Sequence, residues 1–164
     1  MQWKPGLLAG MFVGIVLVVL IGAAITIIPA LTSPHTPSGN TIDPSAAAII
    51  TDITTTSSVN PMTSAPGPKT QTFKTNTIFY IAFHLNLKNF DFQTHKAVYI
   101  QPKFYGGRAN VSPPMLSFIQ PTDGSFFATQ YSQPTEGSVE LYWGLKPDGS
   151  DGKLAQTTSF AIVA

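Results

Sequence analysis

The fold of this chain is decided by the run Ile78-Phe-Tyr-Ile-Ala-Phe-His-Leu85. Side chains of a β-strand alternate between two faces, and one face of this run carries Phe79, Ile81, Phe83 and Leu85. The opposite face carries Ile78, Tyr80 and Ala82. A strand that is apolar on both faces is expected to be covered on both. We therefore predict that Ile78, Tyr80 and Ala82 face a second cover, either the segment 46–53 or a partner subunit.

The chain from Phe73 onward has the same β character. Sixteen of its 92 residues are aromatic, and short β-branched or aromatic runs alternate with proline and Asp-Gly turn signals. The predicted strands are 78–87, 97–105, 115–119, 125–131, 138–143 and 154–163. Six or seven short strands in this length predict an all-β fold, an antiparallel two-sheet sandwich over residues 73–164.

The strand 138–143 shows the expected alternation most clearly. Val139, Leu141 and Trp143 share one face, while Glu140 points away from it. This pattern predicts a strand with one buried side.

A second feature lies near the start of the chain. Residues 6–28 contain no charged side chain, and a helix of that length spans about 35 Å, enough to cross a bilayer core of about 30 Å. The run is longer than the apolar core of a cleaved signal peptide. We therefore expect a retained transmembrane helix over residues 6–30, inserted in the lipid bilayer of the cell membrane.

The orientation of this helix follows from its flanking charges. Lys4 precedes the span, and the next basic residue is Lys69. By the positive-inside rule, residues 1–5 are expected in the cytoplasm and the rest of this single-pass protein outside it.

The predicted helix carries glycines at Gly6, Gly10, Gly14 and Gly22, all on one i+4 ladder. Small residues at this spacing let a second helix approach closely. The ladder predicts helix packing with another transmembrane helix, either of a membrane-complex subunit or of a second copy of this chain.

Residues 31–72 differ in composition from both flanks, since 16 of the 42 are Ser or Thr and six are Pro. Such a segment has too few apolar side chains to offset its ordering entropy, which predicts an extracytoplasmic linker. Its one apolar stretch, Ala46–Ile53, is either an incidental patch or a docking segment that folds against the downstream domain or a neighbouring protein.

Composition excludes several classes of chemistry. The chain has 164 residues, a net charge of +1 and no cysteine, so disulfides, iron–sulfur clusters and thiol catalysis are ruled out. Its charge does not suggest nucleic-acid binding. The three histidines show no metal-ligand spacing, and Asp148-Gly-Ser-Asp151-Gly fits a hairpin turn better than a calcium loop. We expect neither a cofactor nor enzymatic activity.

The combination of an uncleaved anchor, a Ser/Thr/Pro-rich stalk and the runs Gly137-Ser-Val-Glu-Leu-Tyr-Trp143 and Lys153-Leu-Ala-Gln-Thr-Thr-Ser-Phe-Ala-Ile-Val163 resembles bacterial membrane-anchored immunoglobulin-like domains. The resemblance covers residues 73–164 and implies an immunoglobulin-like β-sandwich, without the paired cysteines of antibody domains. It implies no particular activity, because such folds host many functions.

Three functional hypotheses are consistent with these features. The first is a non-catalytic accessory or scaffold subunit of a membrane complex, with the sandwich used for protein contacts. The second is a stalked cell-surface binding or adhesion module. The third is a type IV filament subunit, because Lys4-Pro-Gly6 before a long apolar helix is similar to a prepilin start, although Met11 occupies the position where an acidic residue is usual.

Overall fold

The computed structural model describes residues 38–107, 109–111 and 113–164. The predicted membrane span 6–30, its glycines Gly6, Gly10, Gly14 and Gly22, and the N-terminal residues 1–5 lie outside the described residues. Among the helices of the described part, none has the length and apolar character needed to cross a bilayer.

The described chain forms one short helix and nine strands. They are α1 (Pro44–Ala47), β1 (Ile50–Thr56), β2 (Thr72–Lys74), β3 (Phe79–Leu85), β4 (Val98–Tyr105), β5 (Ala109–Val111), β6 (Leu116–Phe118), β7 (Gly124–Tyr131), β8 (Thr135–Gly144) and β9 (Lys153–Val163). All six predicted strands are confirmed, with bounds that agree to within three residues. The strands that the sequence did not predict are β1, β2 and β5.

The strands build two sheets, in the orders β1-β3-β7-β5 and β2-β9-β8-β4-β6. The all-β two-sheet prediction is confirmed. The prediction of a wholly antiparallel arrangement is wrong for one pair, because β2 runs parallel to β9. Between β1 and β3 the chain crosses to the other sheet, and Phe73 stacks on Phe79 at a centroid distance of 4.1 Å. That contact holds the three-residue β2 at the β9 edge.

The core lies between the two sheets and is largely aromatic on the side of the β2–β3 turn. Phe79 of β3 lies 4.9 Å from Phe160 of β9, and Tyr131 of β7 lies 5.5 Å from the same ring. These edge-to-face contacts join one sheet to the other, as expected for aromatic pairs. Val139 and Leu141 of β8 are fully buried on the same inner face, as the alternation predicted.

The structure corrects the predicted linker 31–72 for its described residues, 38–72. Ile50 is fully buried and β1 pairs antiparallel with β3, so this segment belongs to the domain. The docking hypothesis for Ala46–Ile53 is therefore confirmed for the downstream domain. Threonine is a strand former, and the buried hydroxyls of Thr55 and Thr56 donate to the carbonyls of Thr70 and Pro68. A composition that suggested disorder instead supplies an edge strand.

The segment does not provide the second cover expected over β3. It extends the sheet sideways, with Thr55 paired to Ile81 and Thr56 to Tyr80. The face that carries Ile78 and Tyr80 is consequently left uncovered by β1.

Candidate functional site

The outer face of the four-stranded sheet carries several apolar side chains. Phe79 pairs with Thr129 and Tyr80 with Ala128, which places Ile78 and Tyr80 on the side away from the core. The Tyr80 ring meets the Phe126 ring edge-on at 5.7 Å. Ile78 is 52% exposed and Val111, on the neighbouring edge strand, is 38% exposed. We call the surface formed by Ile78, Tyr80, Val111, Phe126 and Ala128 the apolar face.

Ala82 has a different environment from the other two residues that were predicted to face a partner. It is only 1% exposed. Residues 57–68 form a small hairpin, here called the flap, in which Val59 pairs with Pro66 and Asn60 accepts the amide of Ser64 through its carbonyl. The flap stands beside the sheet, and Met62 at its tip is 87% exposed.

A cavity of about 120 Å³ lies between the flap and the outer side of β3 and β7. Its lining residues are Asp52, Thr63, Ser64, Ala65, Pro66, Ala82, Phe83, His84, Asp123 and Gly124. Gly124 permits the close approach of its strand, because a Cβ there would lie 2.8 Å from the carbonyl oxygen of Phe83. The cavity is smaller than the roughly 300–1,000 Å³ typical of cofactor and drug-sized sites.

The polar side chains around this cavity come from three separate segments. Asp52 sits in a bulge of β1 with a φ of 52°, and Asp123 directly precedes β7. The imidazole of His84 makes a 3.1 Å hydrogen bond with the carbonyl oxygen of Asp123. A carbonyl can only accept, so Nδ1 of His84 donates this hydrogen bond.

A second polar cluster lies on the outer face of the five-stranded sheet. Glu140 points away from the core, as the alternation predicted, but it is only 3% exposed. Tyr142 donates to Glu140 Oε2 at 2.6 Å and Tyr105 donates to the same oxygen at 2.8 Å. Ser38 donates its amide and its hydroxyl to Oε1, at 3.2 and 3.0 Å. The segment 38–43, here called the strap, therefore covers this carboxylate.

Electrostatics at the cluster follow from these contacts. Burial disfavours the charged form of Glu140, but the hydrogen bonds from Tyr142, Tyr105 and Ser38 outweigh burial and lower the pKa of the carboxyl. Burial, followed by the hydrogen bond to Glu140, raises the pKa of Tyr105. Lys103 lies over the Tyr142 ring at 4.0 Å. The ion pair found among the described residues joins Lys153 to Asp43 at 3.5 Å. The hydrogen bonds to Glu140 come from neutral donors, namely Ser38, Tyr105 and Tyr142.

The arrangement offers binding surfaces more readily than reaction chemistry. Within the described residues no three histidine or acidic side chains converge as metal ligands. His84 lies at the cavity rim, while His95 lies 5.7 Å from the Phe90 ring in the β3–β4 loop. Asp148 and Asp151 belong to the turn between β8 and β9, where Asp151 accepts the amides of Leu145 and Lys146.

Sequence reasoning missed both the cavity and the strap. The strap joins Ser38 to Glu140 across 102 residues, a separation that local patterns do not report. One signal was present for the cavity: the apolar outer face of β3 ended at His84, a polar residue.

Comparisons of this chain with protein families, with curated proteins and with solved structures find no match. Fold and function are therefore inferred from this chain alone.

Proposed function

We propose that this protein is a non-catalytic accessory subunit of a membrane complex. In this proposal the N-terminal helix anchors the chain, with its N-terminus in the cytoplasm and the sandwich outside it. The partners are other membrane-complex subunits or a second copy of the chain. The apolar face, centred on Tyr80, is the surface that contacts them.

The observation that carries the proposal is the exposure of the apolar face. Ile78 at 52% and Val111 at 38% are open to solvent on the same side as Tyr80 and Phe126. Contiguous apolar surface with aromatic residues is typical of protein interfaces. Scattered apolar residues need no such explanation, but Tyr80, Phe126 and Ala128 lie together on adjacent strands of one sheet. Gln130 is the polar residue paired with Val111 at the edge of this face.

The strand order supports an immunoglobulin-like domain. When β1, β3, β4, β5, β7, β8 and β9 are assigned to strands A to G, the sheets have the orders A-B-E-D and G-F-C of that fold. The chain departs from the pattern in two ways: β2 and β6 extend the second sheet at its edges, and the chain has no cysteine for the B–F disulfide. Domains of this kind commonly serve protein recognition, but the fold alone does not assign a function.

The length of the tether favours an accessory subunit over a stalked module. A flexible stalk would need the whole of residues 31–72, but the described part of that segment packs on the domain. If the predicted span ends at residue 30, seven residues, 31–37, remain before Ser38. They reach at most about 25 Å. Such a short tether would hold the apolar face close to the membrane and to any membrane-embedded partner.

The test is assembly of the full-length protein in mild detergent, measured as the size of the complex that it forms. We expect Gly10→Leu with Gly14→Leu to disrupt the helix contact. We expect Ile78→Ser with Tyr80→Ser to disrupt the domain contact.

Matched controls lie on the opposite outer face. Ile119 is 74% exposed, and Tyr99, which pairs with Gly144, is half-buried like Tyr80. Ile119→Ser with Tyr99→Ser should leave assembly unchanged. Complexes of the same size for all three double variants and the native chain would refute the proposal.

A further inference from the structure

The cavity beside the flap differs from the apolar face in its chemistry. Its apolar lining includes Ala82 on the floor and Ala65 and Pro66 on one wall, while the ring of Phe83 packs on Phe127 in the core. Charge is confined to Asp52 and Asp123, and none of the ten lining residues is Lys or Arg. An apolar floor beneath two carboxylates matches a ligand that has an apolar stem and a cationic head.

The hydrogen-bonding groups around the cavity further restrict the class of ligand that it can bind. Asp52 and Asp123 are acceptors when ionised, and the Nδ1 donor of His84 is already taken by the carbonyl of Asp123. The two carboxylates therefore call for a ligand that donates hydrogen bonds. A guanidinium has five donors and no acceptor, arranged in a planar fork that pairs well with carboxylates.

The size of the cavity suits a single side chain of a partner protein. The cavity volume is about 120 Å³, which is comparable with the roughly 150 Å³ engineered cavity that holds benzene. The cavity is contiguous with the apolar face, since Ala82 on its floor pairs with Phe126 of that face. Arginine is among the residues that most often anchor an interface by filling a pocket.

We propose that the cavity between the flap and β3 is a socket for an arginine side chain of the partner that docks on the apolar face. This inference rests on the proposed function and specifies the partner's chemistry. The alkyl stem packs on Ala82 and Pro66, and the guanidinium meets Asp52 and Asp123. Charge complementarity selects this occupant over an acidic or a neutral one.

The test uses a blocked amino acid, so no partner has to be identified. N-acetyl-arginine methylamide is titrated into the isotope-labelled full-length protein in detergent, and the amide resonances of Ala82, His84 and Gly124 are followed. We expect saturable shifts at these residues. The norleucine analogue keeps the stem without the charge and should bind about tenfold more weakly or not at all. The lysine analogue should bind between the two.

Variants then test the carboxylates. Asp52→Asn with Asp123→Asn should raise the dissociation constant of the arginine probe about tenfold. Asparagine tolerates the positive φ of 52° at position 52, so the bulge is retained. Asp91→Asn with Asp148→Asn removes two exposed charges in other loops and should leave the constant unchanged. An unchanged amide spectrum away from the cavity shows that each variant is folded.

Three outcomes would overturn the socket: no saturable shift at tens of millimolar, equal binding of arginine and norleucine, or equal losses in the two double variants. These outcomes can be distinguished from outcomes that refute the proposed function. If Ile78→Ser with Tyr80→Ser disrupts assembly but the arginine probe does not bind, the socket alone is refuted. If the arginine probe binds but Ile78→Ser with Tyr80→Ser leaves assembly unchanged, the proposed function of the apolar face is refuted.

Discussion

Ser38 donates both its backbone amide and its hydroxyl to the carboxylate of Glu140, 102 residues further along the chain. The contact fastens the strap to the middle of β8. Asn40 continues it with a hydrogen bond to the Tyr142 hydroxyl, and the amide of Asp43 donates to the carbonyl of Leu154 at 2.8 Å. The strap thus runs along the same direction as β8, and its start, the end nearest the predicted anchor, is tied to the sheet.

Replacing Glu140 tests the energetic importance of this cluster. Glu140→Gln keeps the shape but exchanges an accepting oxygen for a donating amide that faces hydroxyls. We expect a loss of about 1–3 kcal/mol in the free energy of unfolding, as for a buried charge-assisted hydrogen bond. Urea unfolding of the full-length protein, followed by Trp143 fluorescence in a Trp3→Phe background, measures it. Glu136→Gln, an exposed site on the same strand, is the control, and equal stability of the two variants would contradict the prediction.

The same cluster predicts a pH dependence. The pKa of Glu140 is lowered from its ordinary value of 4.5, by hydrogen bonds that overcome the opposing effect of burial. A carboxyl with a lowered folded-state pKa stabilises the fold above the unfolded value, and this stabilisation is lost as the pH falls through the folded value. The native protein should therefore lose stability below about pH 4.5. The stability difference from Glu140→Gln should shrink over the same range. A difference that stays constant down to pH 2 would argue against an ionised Glu140.

Asp43 predicts a second, separate acid effect. Hydrogen bonds from the Ser45 side chain and the Ala46 amide lower the pKa of Asp43 from 3.8 to about 2. The charged form caps α1 and pairs with Lys153 at 3.5 Å. Its contribution is present above pH 3.8 and disappears as the pH falls towards 2. Carbon-detected NMR titration of the Asp43 carboxyl checks the value, and Lys153→Met should move it only slightly upward, because Lys153 is the smallest of the causes.

Ile50 tests whether β1 is part of the folded domain. It is fully buried beside β3, so Ile50→Ala should cost about 2–5 kcal/mol of unfolding free energy. Ile42→Ala removes the same atoms from a strap residue that is 44% exposed and should cost less than about 0.5 kcal/mol. Denaturant unfolding of both variants gives the comparison. If residues 31–72 were a free linker, the two substitutions would have the same small effect.

Gly137 tests the packing of the aromatic core. A Cβ at this position would lie 2.4 Å from the Phe160 ring, so Gly137→Ala should cost about 1–3 kcal/mol through overpacking. The double variant with Phe160→Leu should cost less than the sum of the two single changes, since the smaller side chain relieves the clash. Thermal unfolding of the four proteins measures the coupling, and strict additivity would show that the ring does not oppose the methyl group.

Local patterns in this sequence were sufficient for the strands that dominate the fold. Alternation in 78–85 and 138–143, with proline and Asp-Gly turns between the strands, located six of the nine strands in the described chain. The same alternation assigned Val139 and Leu141 to the core, because a period of two is a property of the strand itself. The apolar character of Ile78 and Tyr80 was equally visible, and so was the uncharged run 6–28, which the described residues do not include.

Only the tertiary structure decided what covers each strand. The sequence predicts a linker over residues 38–72 because threonine, serine and proline lower the mean hydropathy. In the structure, β1 of this segment forms an edge strand by pairing with β3. Alternation predicted correctly that Glu140 points away from the core, but it indicates the direction of a side chain and not what lies in front of it. The strap, Tyr105 of β4 and Tyr142, two residues further along β8, supply that cover. Contacts between residues far apart in the chain depend on loop closure and packing of the whole domain, which the local period of a strand cannot encode.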